Sequence, residues 1–188
     1  MKNLFALATI AILALTATPY TSAARETTPK IESLISENTA ESLNSAGLEY
    51  LKAETVNYDI YEAAKLFYRA AERGSYHADY WIYDLWAEFD EEQIEPPFPI
   101  EQFAKSRDRA ITGYTARLKT KQDLPETYHR LSRLLDQGLG VEDEDPRYLE
   151  YLKKAADMGH PGAIEDLSFI IDLYREHPED RPSGLPQR

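Results

Sequence analysis

Cysteine is absent from this 188-residue chain, and methionine and tryptophan occur only twice each. Without cysteine no disulfide can staple the fold, no thiolate can serve as a nucleophile and no thiol can ligate a metal. Stability must come from packing. Long apolar runs are scarce too: residues 4–15 form one, and about a dozen apolar residues fall short of the ~20 a membrane-spanning helix needs. Catalytic signatures are missing: there is no His-Glu-x-x-His helix motif, no Gly-x-Ser-x-Gly elbow and no glycine loop to cradle phosphate. Basic charge is in the minority, with 21 Lys and Arg against 33 Asp and Glu, a formal net charge of −12. Such a field repels nucleic-acid phosphates and anionic lipid heads and favours a basic partner, or simply keeps the chain soluble.

The apolar run has a clear assignment. Lys2 precedes it, and Thr21-Ser22-Ala23-Ala24 follows with small residues at the spacing a signal peptidase reads. Residues 1–24 are therefore expected to be a secretory signal, cleaved after Ala23 or Ala24. No cysteine follows to accept a lipid anchor, so the expected destination is the periplasm, with secretion beyond it left open. The signal carries one charge, Lys2, so the mature chain would have 20 basic and 33 acidic residues, 20 − 33 = −13.

The strongest pattern is internal repetition, the sign of a stacked architecture. Arg69-Ala70-Ala71-Glu72-Arg73-Gly74 and Lys154-Ala155-Ala156-Asp157-Met158-Gly159 both run basic, Ala, Ala, acidic, any, Gly, 85 residues apart. Val56 and Val141 precede the two glycines at the same distance. Asp59 and Glu144, Tyr50 and Leu135, and Gly47 and Ser132 also correspond. Between the two copies a degenerate one starts at Ala78, Ile82 and Trp86, with extra length near residues 90–99. A fourth half-copy starts at His160 with Ala163, Leu167 and Ile171 in register.

Each copy predicts two helices. Apolar residues at 60, 63, 64, 67, 70 and 71 form a helical stripe, Pro146 suits a first helical turn, and Gly159 a C-terminal cap. The paired alanines allow two helices to approach closely, and Gly138-Leu139-Gly140 turns the chain back. Residues 25–37 are a polar lead-in, helical from Ile31. Residues 176–188, with three prolines, are expected to be a flexible tail. The proline-rich stretch 90–99 is expected to project as a loop.

The string from Leu131-Ser132-Arg133-Leu134-Leu135 through Gly138-Leu139-Gly140-Val141 to Lys154-Ala155-Ala156-Asp157-Met158-Gly159 resembles the Sel-one-like repeat, a relative of the tetratricopeptide repeat. The resemblance covers residues 38–175. It implies an all-α fold, an α-solenoid of antiparallel helix pairs with about three and a half repeats, and a role in holding partners. It also implies that the leading helices line a concave face. Carried over position by position, that points to Tyr80 and Asp84 in the second unit, to His129, Arg133 and Asp136 in the third, and to Glu165, Phe169 and Asp172 in the fourth. Tyr83 joins them because it stands where the other units have Gly47, Ser132 and Ser168.

Tyr76, Tyr80, Trp81, Tyr83, Trp86 and Phe89 crowd one helix and point around most of its circumference. Two readings stay open: an interface patch, or a satellite core closed by Pro96-Pro97-Phe98-Pro99. His77, His129, His160 and His177 lie in different units without ligand spacing, and His160 suits helix entry after the repeat glycine. The acidic stretches 88–95 and 143–145 lack a calcium-loop pattern. No metal, cofactor or catalytic residue is therefore expected. The expected function is a non-enzymatic protein- or peptide-binding module. A toxin-neutralising immunity protein is its sharper form, and a cell-wall hydrolase the alternative from another class.

Overall fold

The computed structural model describes residues 28–53, 56–136, 145, 147–176 and 185. Every regular element among them is an α-helix: α1 (Pro29–Glu37), α2 (Ala40–Lys52), α3 (Ile60–Ala71), α4 (Tyr76–Asp84), α5 (Trp86–Glu91), α6 (Glu101–Thr120), α7 (Leu124–Leu135), α8 (Arg147–Asp157) and α9 (Pro161–Glu176). None is long and apolar enough to cross a membrane. The proposed signal segment, Gly138-Leu139-Gly140, Val141, Asp143, Glu144 and Pro146 lie outside the described residues, as does the 176–188 stretch apart from the backbone of Glu176 and from Leu185. Leu185 is buried with Leu135, Tyr148 and Leu149, so at that point the stretch is packed.

Local chemistry sets the helix ends. Thr28 caps α1 and Pro29 opens it, which makes the lead-in helical two residues earlier than its apolar pattern suggests. Thr39 and Ser42 cap each other's backbone N–H at the start of α2, both at 3.0 Å. Asp59 and Ser75 open α3 and α4 with a single cap each, accepting from the Glu62 and Ala78 N–H groups.

The repeated Ala-Ala-acid-any-Gly string has a physical cause. Gly74 and Gly159 take left-handed backbone at φ 88° and 82°. The Gly74 and Ser75 N–H groups then donate to the Ala71 and Ala70 carbonyls at 2.9 and 3.2 Å. Gly159 and His160 do the same to Ala156 and Ala155 at 2.9 and 3.0 Å. Both copies therefore end in the paired hydrogen bonds of a Schellman cap.

Packing follows chain order. α2 lies on α3, α4 on α6 and α7 on α8, and these pairs are joined through α3 on α4, α6 on α7 and α8 on α9, with α1 on α2. The main core runs from α1 to the start of α6 around Phe67, which is fully buried. Gly47 permits this. A Cβ there would stand 2.7 Å from the Phe67 ring, so only glycine lets α2 come so near α3. Trp81 stacks on the same ring from α4, centroids 6.0 Å apart.

The stretch 90–99 does not project as a loop. α5 carries Phe89 inward, and after the turn Phe98 is buried, 5.5 Å from the Tyr68 ring and 5.1 Å from Phe103. Burial of a phenylalanine ring is worth about 1.5–3 kcal/mol, and the prolines reduce the entropy lost in holding the segment against the core.

Candidate functional site

The residues singled out from the sequence fall mainly on α4, α7 and α9, and many of them are linked. On α7, Glu126, His129, Arg130 and Arg133 recur every three or four residues and so share one face. From α4, Asp84 accepts from Arg133 at 2.8 Å. Arg130 lies 3.9 Å over the Tyr80 ring and 4.4 Å over Trp81, and donates to Glu126 Oε1 at 2.5 Å. Glu126 Oε2 accepts from His160 Nε2 at 2.7 Å. His160 and His129 are in ring contact, tilted at 38° with centroids 4.2 Å apart, and Asp166 of α9 accepts from His129 Nε2 at 2.9 Å. Hydrogen bonds and ring contacts thus run unbroken from Asp166 to Tyr80, whose hydroxyl donates to Asp84 at 3.1 Å.

Tyr80 cannot be a partner contact. It is 2% exposed, covered by Arg130 and joined in a buried cluster to Tyr114, Leu131 and Leu134. Burial, and then the nearby Asp84, push its phenol well above the usual range. Tyr83 is half-buried in the same cluster with the Arg107 guanidinium 5.9 Å from its ring, so the bulk that replaces a small residue fills the junction of α4, α6 and α7. Phe89 is likewise buried, and Trp86 packs 4.9 Å from Phe103. Of the two readings of the aromatic helix, a core closed by the 96–99 segment describes Trp86 and Phe89, which share a cluster with Phe98 and Phe103, whereas Tyr80 and Tyr83 pack on α6 and α7 instead. Arg133, Asp136, Glu165, Phe169 and Asp172 are exposed. Phe169 is the extreme case at 69%, with Ile164 also exposed on α9.

His160 opens α9 as sequence suggests. Its Nδ1 accepts from the Ala163 N–H at 3.2 Å, the job Ser75 does at the matching position of α4. An Nδ1 that accepts leaves the proton on Nε2, pointing at Glu126. The histidines are not scattered in space, however. Glu126, His129 and His160 each offer one ligand atom, all within 4.8 Å of one another. Sequence spacing missed this because the third member comes from the cap of the next unit. The available signal was Glu126-x-x-His129, one helix face by its spacing. Asp145, from the acidic turn, is instead engaged by Arg147 at 2.6 Å, which holds its carboxyl down at about 2.

His77 is a different case. Arg117 has only donors, so its approach at 3.4 Å makes His77 Nε2 the acceptor and leaves Nδ1–H for the Tyr114 hydroxyl at 2.9 Å. Burial and then the Arg117 charge lower its pKa. A histidine lowered in the fold stays neutral while the unfolded chain binds a proton, so stability is complete above about pH 6.5 and is lost as pH falls below it. Urea midpoints measured from pH 7.5 to 5.5 should decline, and His77→Gln should flatten that slope. An equal slope in the variant would refute the assignment.

Asp79 of α4 is the most deeply buried carboxylate among the described residues. Its Oδ1 accepts from Arg109 of α6 at 3.0 and 2.6 Å, and burial raises its pKa against the lowering effect of Arg109 and Ser106. It lies beside a shallow recess of about 520 Å³ lined by Glu72, Tyr76 and Arg109. A scan of protein-family models, a search of curated proteins and a search of solved structures each find no match to this chain.

Proposed function

We propose that the chain is an exported Sel-one-like α-solenoid of antiparallel helix pairs that acts, without catalysis, as a protein- or peptide-binding module. The architectural reading is supported by the sequential pairing of helices and by identical glycine caps 85 residues apart. The single observation that carries the binding reading is Phe169. A ring 69% exposed, at helical spacing from Glu165 and Asp172 and from Asp166, which accepts from His129 of α7, is an apolar anchor among polar residues. A chain of hydrogen bonds through Asp84 holds Arg133 in place and lowers the entropy cost of binding. The acidic residues Asp136, Glu165 and Asp172 suit a basic partner surface.

A photo-crosslinking residue placed at Phe169 in the envelope of living cells should trap one dominant adduct. The same residue at exposed Lys105 of α6 should not, and Arg133→Ala should weaken the adduct while leaving the helical far-UV signal intact. Equal labelling from both positions, or none at Phe169, would sink this reading.

A further inference from the structure

We propose that Glu126, His129 and His160 form a binding site for one divalent transition-metal ion of the zinc class, joining α7 to the start of α9. Two imidazoles and a carboxylate are a donor set that suits zinc, with a further position left open, and the three ligand atoms already lie within 4.8 Å of one another. Contraction by up to about 1.5 Å brings such donors to the roughly 3.3 Å spacing set by tetrahedral metal–ligand bonds of about 2 Å.

The surroundings are those of a supported site. Arg130 holds Glu126 by Oε1 and leaves Oε2 on the histidine side. Asp166 accepts from His129 Nε2, so a neutral His129 keeps a lone pair on Nδ1, the carboxylate–histidine arrangement that orients a metal ligand. Gly162 makes the room. A Cβ there would meet His129 Cε1 at 3.0 Å and His160 Cε1 at 3.4 Å. The side chains of His129 and His160 are only 12% and 16% exposed, so water competes weakly for them. The acidic field of the chain draws cations, while a nitrogen-rich set disfavours the hard ions calcium and magnesium.

One feature of the site opposes binding and makes the proposal specific. His160 Nδ1 accepts the Ala163 N–H. Coordination through Nε2 moves the ring proton to Nδ1, so the metal takes the imidazole away from its capping role. A 3.2 Å cap bond is weak beside a metal–nitrogen bond, and the exchange replaces one tie at the helix start by a cross-link between two helices. The partner-binding reading is neither required nor excluded by this site.

The test titrates Zn2+ alone into the metal-stripped chain against a chromogenic zinc indicator. One ion per chain should bind, and the thermal midpoint should rise with zinc concentration. Excess Mg2+ or Ca2+ should not displace it. His160→Ser keeps a capping oxygen, as Ser75 does, and removes the ligand; with His129→Asn and Glu126→Gln it should weaken binding by at least about a hundredfold. His77→Gln should leave it unchanged. Absence of stoichiometric uptake, or uptake unmoved by the three ligand variants, overturns the site. Should a variant lose its helical signal, NMR of the native chain decides: Zn2+ must shift the ring protons of His129 and His160 and spare those of His77.

Discussion

Phe67→Ala is expected to remove about 3–5 kcal/mol of folding stability, in the range of a fully buried phenylalanine cut to a methyl. The ring sits where three helices converge: α3 supplies it, α2 approaches it at Gly47, and α4 brings Trp81 to stack on it. These are rigid backbones around a closed volume, so the cavity collapses little and the loss falls toward the top of that range. Against a total stability of about 5–15 kcal/mol this is a large share. Urea unfolding followed by far-UV circular dichroism measures it, and a loss under about 1 kcal/mol would mean the core is not built around this ring. Gly47 adds a coupled expectation. Gly47→Ala drives a methyl into the ring at 2.7 Å in the native chain but into vacant space once the ring is gone. The double variant should therefore lose less than the sum of the two single losses, by a margin that a double-mutant cycle resolves.

Arg109→Met is the second large effect. It strands the Asp79 carboxylate, whose side chain is 3% exposed, without the guanidinium that donates to it twice. Breaking a buried pair from one side costs about 3–5 kcal/mol. Here the cost has a ceiling, because the carboxyl can take up a proton instead of remaining a buried charge. Burial already raises its pKa, and losing Arg109 raises it further above the unfolded value of 3.8. A carboxyl raised in the fold costs stability above its folded pKa and nothing below its unfolded one. The deficit relative to the native chain should thus be greatest near pH 8 and shrink as pH falls toward 5. Taking the difference at each pH removes the loss through His77, which both proteins share. Adding Asp79→Asn, which abolishes the charge, should recover part of the deficit at pH 8. A deficit independent of pH would show that Arg109 acts through packing of its stem rather than through Asp79.

Much of the helical framework was legible in the chain because its causes are local. The stripe from Ile60 to Ala71 repeats at the helical period, and it is buried along one face. Gly159 reads as a helix stop from its place in the chain, and the left-handed φ found there and at Gly74 is what a terminal glycine supplies more cheaply than any other residue. His160 was assigned to helix entry by its position after the glycine. In each case the deciding partner lies within a few residues, so a window of sequence contains the whole interaction.

The stretch 90–99 departs from its sequence expectation for the opposite reason. Prolines announce that it is not helical throughout, but whether it projects or folds back depends on a hydrophobic recess formed by Tyr68 and Phe103, and Tyr68 stands 30 residues from Phe98. Tyr80 failed as a partner contact in the same manner. It lies on a helix, α4, yet Arg130 and Leu131, 50 and 51 residues on, cover it.

By itself the sequence determined helix type, several helix ends and the absence of any disulfide, since these rest on backbone propensity, capping and composition. Only the tertiary structure decided which polar side chains meet. It brought His160 to Glu126 and His129, set Asp166 against His129, and buried Asp79 under Arg109. A charged or imidazole side chain on a helix face looks the same in sequence whether it ends in water or against another, because its energy is set by the distance and dielectric of groups that only folding brings near.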